Sequence, residues 1–133
     1  MDSRLRLEGK MKRILDGRSH AALDYACAAV FAGAPFLLKT APGTAKICYA
    51  LAGIVVCLAL FTRYPGGIIK RVPFSYHALI EFYAAFALAA YGLFFQRGVD
   101  RVFFVAAGMC VLAIFLMTDF SERAQTRLRS RRS

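Results

Sequence analysis

The sequence predicts an all-α membrane protein: four transmembrane helices, arranged as two tandem helical hairpins that form a parallel internal repeat. Three observations carry this expectation. Long apolar runs fill the middle of the chain, the charges collect at its ends and connectors, and one apolar run with a polar signature occurs twice. Of the 133 residues 59% are hydrophobic, with a mean hydropathy of +0.50. A soluble domain of this size needs more polar surface than that to cover its core.

The repeated stretch covers residues 20–38, HAALDYACAAVFAGAPFLL, and returns 57 residues later over 77–95 as HALIEFYAAFALAAYGLFF. His20 aligns with His77, Asp24 with Glu81 and Tyr25 with Phe82. Only 4 of 19 positions are identical, so the polar framework in register carries the likeness: a histidine, a carboxylate four residues on, then an aromatic.

Residues 1–18 are polar and basic, with Leu7, Met11, Ile14 and Leu15 at helical spacing and Lys10, Lys12 and Arg13 among them. A short basic amphipathic helix on anionic lipid fits this pattern, with Gly17 ending it; an unstructured basic tail fits as well. Ala32-Gly33-Ala34 after a basic start resembles a signal-peptide cleavage site. Proline follows at once, however, and the counterpart of this segment lies mid-chain, so it is read as structural.

The first spanning helix is expected over 21–38 with Ser19 as its N-cap. Its length is about 27 Å against a hydrocarbon core of about 30 Å, and Pro35 lies where a kink or stop is tolerable. Residues 39–44, KTAPGT, read as a turn-rich connector. The second helix is expected over 45–61, where Ala50, Ala52 and Gly53 offer a close helix approach. Thr62-Arg63-Tyr64-Pro65-Gly66-Gly67 stops it, and the basic connector closes at Pro73 and Ser75. The third helix is expected over 76–95, a tight turn at 96–98, and the fourth helix over 99–117. The chain divides accordingly into a basic segment 1–18, a hairpin 19–62, a basic connector 63–75, a hairpin 76–120 and a basic tail 121–133.

Lysine and arginine count sets the orientation. The two ends and the middle connector hold fourteen, and the opposite side only Lys39, Lys46, Arg97 and Arg101. The positive-inside rule then puts both termini in the cytoplasm. A bacterial inner membrane is the expected location, with anionic lipid under the basic termini and a second copy or another membrane protein as the expected partner. The net charge of +10 does not read as nucleic-acid binding, because the basic residues flank apolar runs and are not interleaved with base-stacking aromatics. Cys27, Cys48, Cys57 and Cys110 all fall inside apolar runs, without a CxxC pair, and read as small apolar side chains.

These spans put eight polar residues at one depth on the cytoplasmic side. They are His20, Asp24, Thr62, Arg63, His77, Glu81, Thr118 and Asp119. A spacing of four sets each histidine over its carboxylate on one helical face. The repeat makes Arg63 and Asp119 equivalent, which suggests an ion pair between them. The first reading is a structural cluster in a non-enzymatic protein of assembly type, with no cofactor and no catalytic residue. Proton or ion handling by His20, Asp24, His77 and Glu81 is the alternative, against which Phe31, Phe36, Phe94 and Phe95 are expected to crowd the other half of the membrane. Haem held by the two histidines, or a metal held by all four side chains, come behind it. Hydrolytic, phosphoryl-transfer and dinucleotide motifs are absent from the sequence.

Taken together, HxxxDY, a proline 15 residues after the histidine, a second helix closing on T-x-Y-P and a further HxxxE resemble the SPW-repeat membrane proteins of bacteria. The resemblance spans about residues 18–121 and implies two transmembrane helices per repeat, but no particular activity. The name-giving Ser-Pro-Trp position reads Ala34-Pro35-Phe36 in the first copy and Tyr91-Gly92-Leu93 in the second, and the chain contains no tryptophan.

Overall fold

The computed structural model describes residues 15–118. The expected surface helix over 1–18, the tail over 121–133 and Asp119 therefore lie outside the described residues, apart from the stretch that opens the first helix. The described chain is all-helical: α1 (Gly17–Leu38), α2 (Pro42–Phe61), α3 (Phe74–Phe95) and α4 (Gly98–Met117). All four are long and apolar enough to cross a membrane. The apolar side chains are turned outward, as in Phe36, 84% exposed, and Phe94, 80% exposed. Soluble proteins rarely leave so much apolar surface to water; lipid is the solvent these faces suit. This is a multi-pass membrane protein.

Each helix begins earlier than the hydropathy suggests. Asp16, not Ser19, caps α1: its carboxylate accepts from the Ser19 backbone N–H at 2.9 Å, and Gly17 opens the helix instead of closing an earlier one. That hydrogen bond holds the Asp16 carboxyl below its ordinary range. A depressed carboxyl stabilises the fold above its unfolded pKa, and the contribution is lost as pH falls through the folded value. Asp16→Ala is expected to cost about 1 kcal/mol at neutral pH in a circular-dichroism melt, and less at acid pH where the cap is already protonated. Pro42 occupies the first turn of α2, where its missing N–H costs nothing, so the connector shrinks to residues 39–41. Pro35 lies inside α1, whose end is closed by Lys39 in the left-handed region, φ 51.

The helix boundaries themselves repeat. α3 starts 57 residues after α1, and α4 starts 56 after α2. Thr62 and Thr118 are the C-caps of α2 and α4. α1 packs on α2 and α3 on α4, with a lighter contact between α1 and α4.

The closest approach is between α3 and α4. A Cβ on Gly108 would lie 2.5 Å from the Ala85 carbonyl oxygen and 2.9 Å from the Ala89 nitrogen, so only glycine lets these backbones meet. Gly92 faces Phe104 and Val105 in the same way. Gly53, expected to serve this purpose in the second helix, has nothing within 4 Å of where its Cβ would be. Its stretch of α2 faces outward, and Cys48 and Ala52 make the buried contacts. Of the four cysteines, all free, Cys48 is buried, Cys27 half-buried, and Cys57 and Cys110 exposed.

Candidate functional site: a buried histidine–carboxylate cluster

Six of the eight expected polar residues meet at one end of the bundle. α1 and α3 contribute His20, Asp24, His77 and Glu81 from their first two turns, and the ends of α2 and α4 contribute Thr62 and Thr118. His20, His77, Thr62 and Thr118 are buried almost completely.

The threonines are placed by backbone hydrogen bonds at the ends of α2 and α4, one local to the connector and one crossing between the halves of the chain. Leu15 N–H donates to the Met117 carbonyl at 2.9 Å, and Val72 N–H donates to the Phe61 carbonyl at 2.8 Å. Each segment that leads into a histidine-bearing helix is thus paired with the end of a helix from the other hairpin or its own connector. Thr118 Oγ1 then lies 2.8 Å from His20 Nδ1, and Thr62 Oγ1 lies 2.7 Å from His77 Nδ1.

These hydroxyls decide the tautomers. Thr62 donates its one proton to the Leu58 carbonyl and Thr118 donates its own to Ile114, both at 2.6 Å. Each Oγ1 can therefore only accept from the histidine, so Nδ1 carries the hydrogen in both rings. Both Nε2 atoms are left facing the carboxylates. His20 Nε2 is 3.4 Å from Asp24 Oδ1 and 3.2 Å from Glu81 Oε2; His77 Nε2 is 3.3 Å from Asp24 Oδ2 and 3.6 Å from Glu81 Oε1. Each acid spreads its two oxygens across both rings.

Two aromatic residues without an expected role complete the site. Tyr64 donates its hydroxyl proton to Asp24 Oδ2 at 2.6 Å, and burial together with this bond pushes the phenol far above its ordinary pKa, so it remains a donor. Phe74 packs edge-on against His20 with ring centroids 5.3 Å apart, and against Tyr64 at 5.3 Å. The turn that carries Tyr64 is tied back to α1 by Tyr25, whose hydroxyl donates to the Gly66 carbonyl at 2.9 Å. The T-x-Y-P sequence marks Tyr64, but an aromatic at the end of a spanning helix reads first as an interfacial anchor.

Arg63 does not join the cluster. It is exposed, and its Nε donates to the Lys70 carbonyl at 2.9 Å; its expected partner Asp119 lies outside the described residues. The expectation for the other half of the membrane also changes. Phe31 is buried, whereas Phe36, Phe94 and Phe95 face outward. A cavity of about 310 Å³ runs from the cluster past Cys27, Phe31 and Leu88 to Tyr91. Beyond it Gln96 Nε2 donates to the Tyr91 hydroxyl at 2.6 Å. From Glu81 to Tyr91 this path is apolar over about 15 Å of helix.

Haem does not fit between the histidines. Their ring centroids are 5.3 Å apart, and a porphyrin plane between them would have to pass through Asp24 and Glu81. Among the described residues, His20, Asp24, His77 and Glu81 are the set able to hold a bare cation, with one ligand atom from each within 4.8 Å of the others. Comparison with known proteins finds no matching family model, no similar curated protein and no similar solved structure.

Proposed function

We propose that this chain is a small non-enzymatic membrane protein of structural or assembly type, in which the cluster is the joint between two helical hairpins. The observation that supports the reading most directly is the crossing of its polar contacts. His20 of α1 meets Thr118 of α4 and Glu81 of α3, while His77 of α3 meets Thr62 of α2 and Asp24 of α1. Elsewhere the hairpins meet through a small apolar core of Phe31, Cys48, Ala52, Leu88 and Phe104, which carries no polar contact. The swapped contacts fit a parallel repeat about an axis along the membrane normal. On this reading the cluster end is cytoplasmic, the membrane is a bacterial inner membrane, and the SPW-repeat likeness describes the architecture.

If the cluster is the joint, His77→Ala and Glu81→Gln lower the amount of folded protein recovered from membranes severalfold, with no change in messenger level. A proton or ion relay predicts the opposite pattern. The double variant Asp24→Asn, Glu81→Gln would then accumulate normally and lose flux in liposomes. The apolar path from Glu81 to Tyr91 weighs against the relay, because a proton crossing it has no polar side chain to rest on.

A further inference from the structure

We infer that the cluster binds a single divalent transition-metal ion, with zinc as the ion whose demands it meets, held by His20 Nε2, His77 Nε2, one oxygen of Asp24 and one of Glu81. The inference deepens the reading of the cluster as a joint and rests on it: the ion is what fastens the two hairpins.

Four observations converge. The first is distance. Charge-assisted hydrogen bonds between nitrogen and a carboxylate are about 2.7–2.9 Å long, and the four histidine–carboxylate separations, 3.2–3.6 Å, all exceed that. A tetrahedral ion with bonds of about 2.0–2.1 Å to nitrogen and oxygen holds its ligand atoms about 3.3–3.4 Å apart. His20 Nε2 stands 3.4 Å from Asp24 Oδ1 and 3.2 Å from Glu81 Oε2, the spacing of neighbouring ligands on one ion, and one ligand atom from each of the four side chains lies within 4.8 Å of the others, close enough to draw in around a cation.

The second is the direction of the lone pairs. Nδ1–H donation to Thr118 and Thr62 turns the Nε2 edges of both rings toward the two carboxylates, and a neutral ring presents a lone pair there. Metal-ligating histidines are held in this way, with the far N–H given to an oxygen acceptor. His77 Nε2 and Glu81 Oε2 are buried and make no hydrogen bond. Two neutral lone pairs facing two carboxylates repel, and a cation between them reverses the sign of all four interactions.

The third is the outer support of the acids. Tyr64 occupies Asp24 Oδ2 with a 2.6 Å hydrogen bond and leaves Oδ1 for the ion. The fourth is charge. A divalent cation balances two carboxylates with both histidines neutral, so the site is neutral as a whole where dielectric screening is weak. Four protein ligands close the coordination sphere, as in structural zinc sites, and the two imidazole nitrogens among the four donors select zinc over magnesium or calcium, which take oxygen ligands.

The test uses the full chain, purified in mild detergent without a metal-affinity tag, with metals measured by mass spectrometry. The expected result is about one zinc per chain. Thr62→Val, which removes the acceptor behind His77 together with the hydroxyl's bond to the Leu58 carbonyl, is expected to weaken binding about 10–100-fold. His77→Ala is expected to abolish it, and Arg63→Ala to leave it unchanged. Should His77→Ala fail to fold, the wild-type protein decides the matter: it is stripped with a chelator and titrated with cobalt(II). Intense visible bands of tetrahedral cobalt, displaced by one equivalent of zinc, support the inference. Absence of bound metal together with absence of those bands overturns it, as does the weak spectrum of octahedral cobalt. Metal that persists in His77→Ala and His20→Ala would place the ion elsewhere and overturns it too. A metal-free protein whose cluster variants still fail to accumulate removes the ion and keeps the joint. Metal lost without loss of folded protein removes the joint and keeps the ion.

Discussion

Gly108→Val is expected to abolish most of the folded protein, while Gly53→Val leaves its level unchanged. The α3–α4 contact is a backbone contact. A side chain at Gly108 would press on the Ala85 carbonyl and the Ala89 amide, and neither can rotate out of the way as a side-chain tip could. Relief requires the helices to separate along their whole contact, which costs about 3 kcal/mol or more, the upper end of overpacking effects. Gly92, which meets Phe104 and Val105, would be strained by the same separation. Gly53 opens onto lipid, where valine is as acceptable as glycine and better in a helix. The comparison is read as membrane-fraction yield and as the midpoint of a circular-dichroism melt in detergent. Equal damage from both substitutions would mean that the packing of α2 and α4 described above is wrong.

The same pair of glycines shows which features the sequence made legible. Spanning helices announce themselves through mean hydropathy over some 20 residues, so all four were expected, with ends within about four residues of those found. The starts were the weaker part, for local reasons: Asp16 reaches forward to the Ser19 amide from a position that looks like tail, and Pro42 looks like a breaker until it is placed in a first turn. Which small residue meets a neighbouring backbone is a pairwise property of distant segments. Gly53 and Gly108 both follow an alanine, Ala52 and Ala107, yet only the second meets a neighbouring backbone.

Within the site, the i, i+4 spacing pairs His20 with Asp24 and His77 with Glu81, and the repeat makes Thr62 and Thr118 equivalent. The pairing is richer than the spacing implied, because each acid reaches both histidines. Tyr64 and Phe74 went unassigned. Their positions in the repeat correspond to Phe120 and Gly17, so the symmetry that revealed the histidines offered no hint of them. Gly17 is small where Phe74 is large because the Tyr64–Pro65 turn lies against it; a Cβ there would stand 3.2 Å from the Pro65 ring. Arg63 binds its own connector through the Lys70 carbonyl, and the partner that the symmetry assigns to it, Asp119, lies outside the described residues.

Asp24→Ala is expected to cost about 3–5 kcal/mol, and Tyr64→Phe about 1–2 kcal/mol. Asp24 is the most connected member of the cluster, within 3.4 Å of His20, 3.3 Å of His77 and 2.6 Å of the Tyr64 hydroxyl. Removing it leaves a buried phenol without an acceptor, and leaves Glu81 as the one carboxylate facing the two rings. Tyr64→Phe keeps the ring packed on Phe74 and removes only the donor to Oδ2. The two effects are not independent. In the Asp24→Ala background the phenol is already stranded, so adding Tyr64→Phe there is expected to restore a fraction of the lost stability. A full double-mutant cycle by circular dichroism in one detergent measures this. Additive losses would mean that Tyr64 acts through ring packing alone, and that Asp24 is held in place by the histidines without its help.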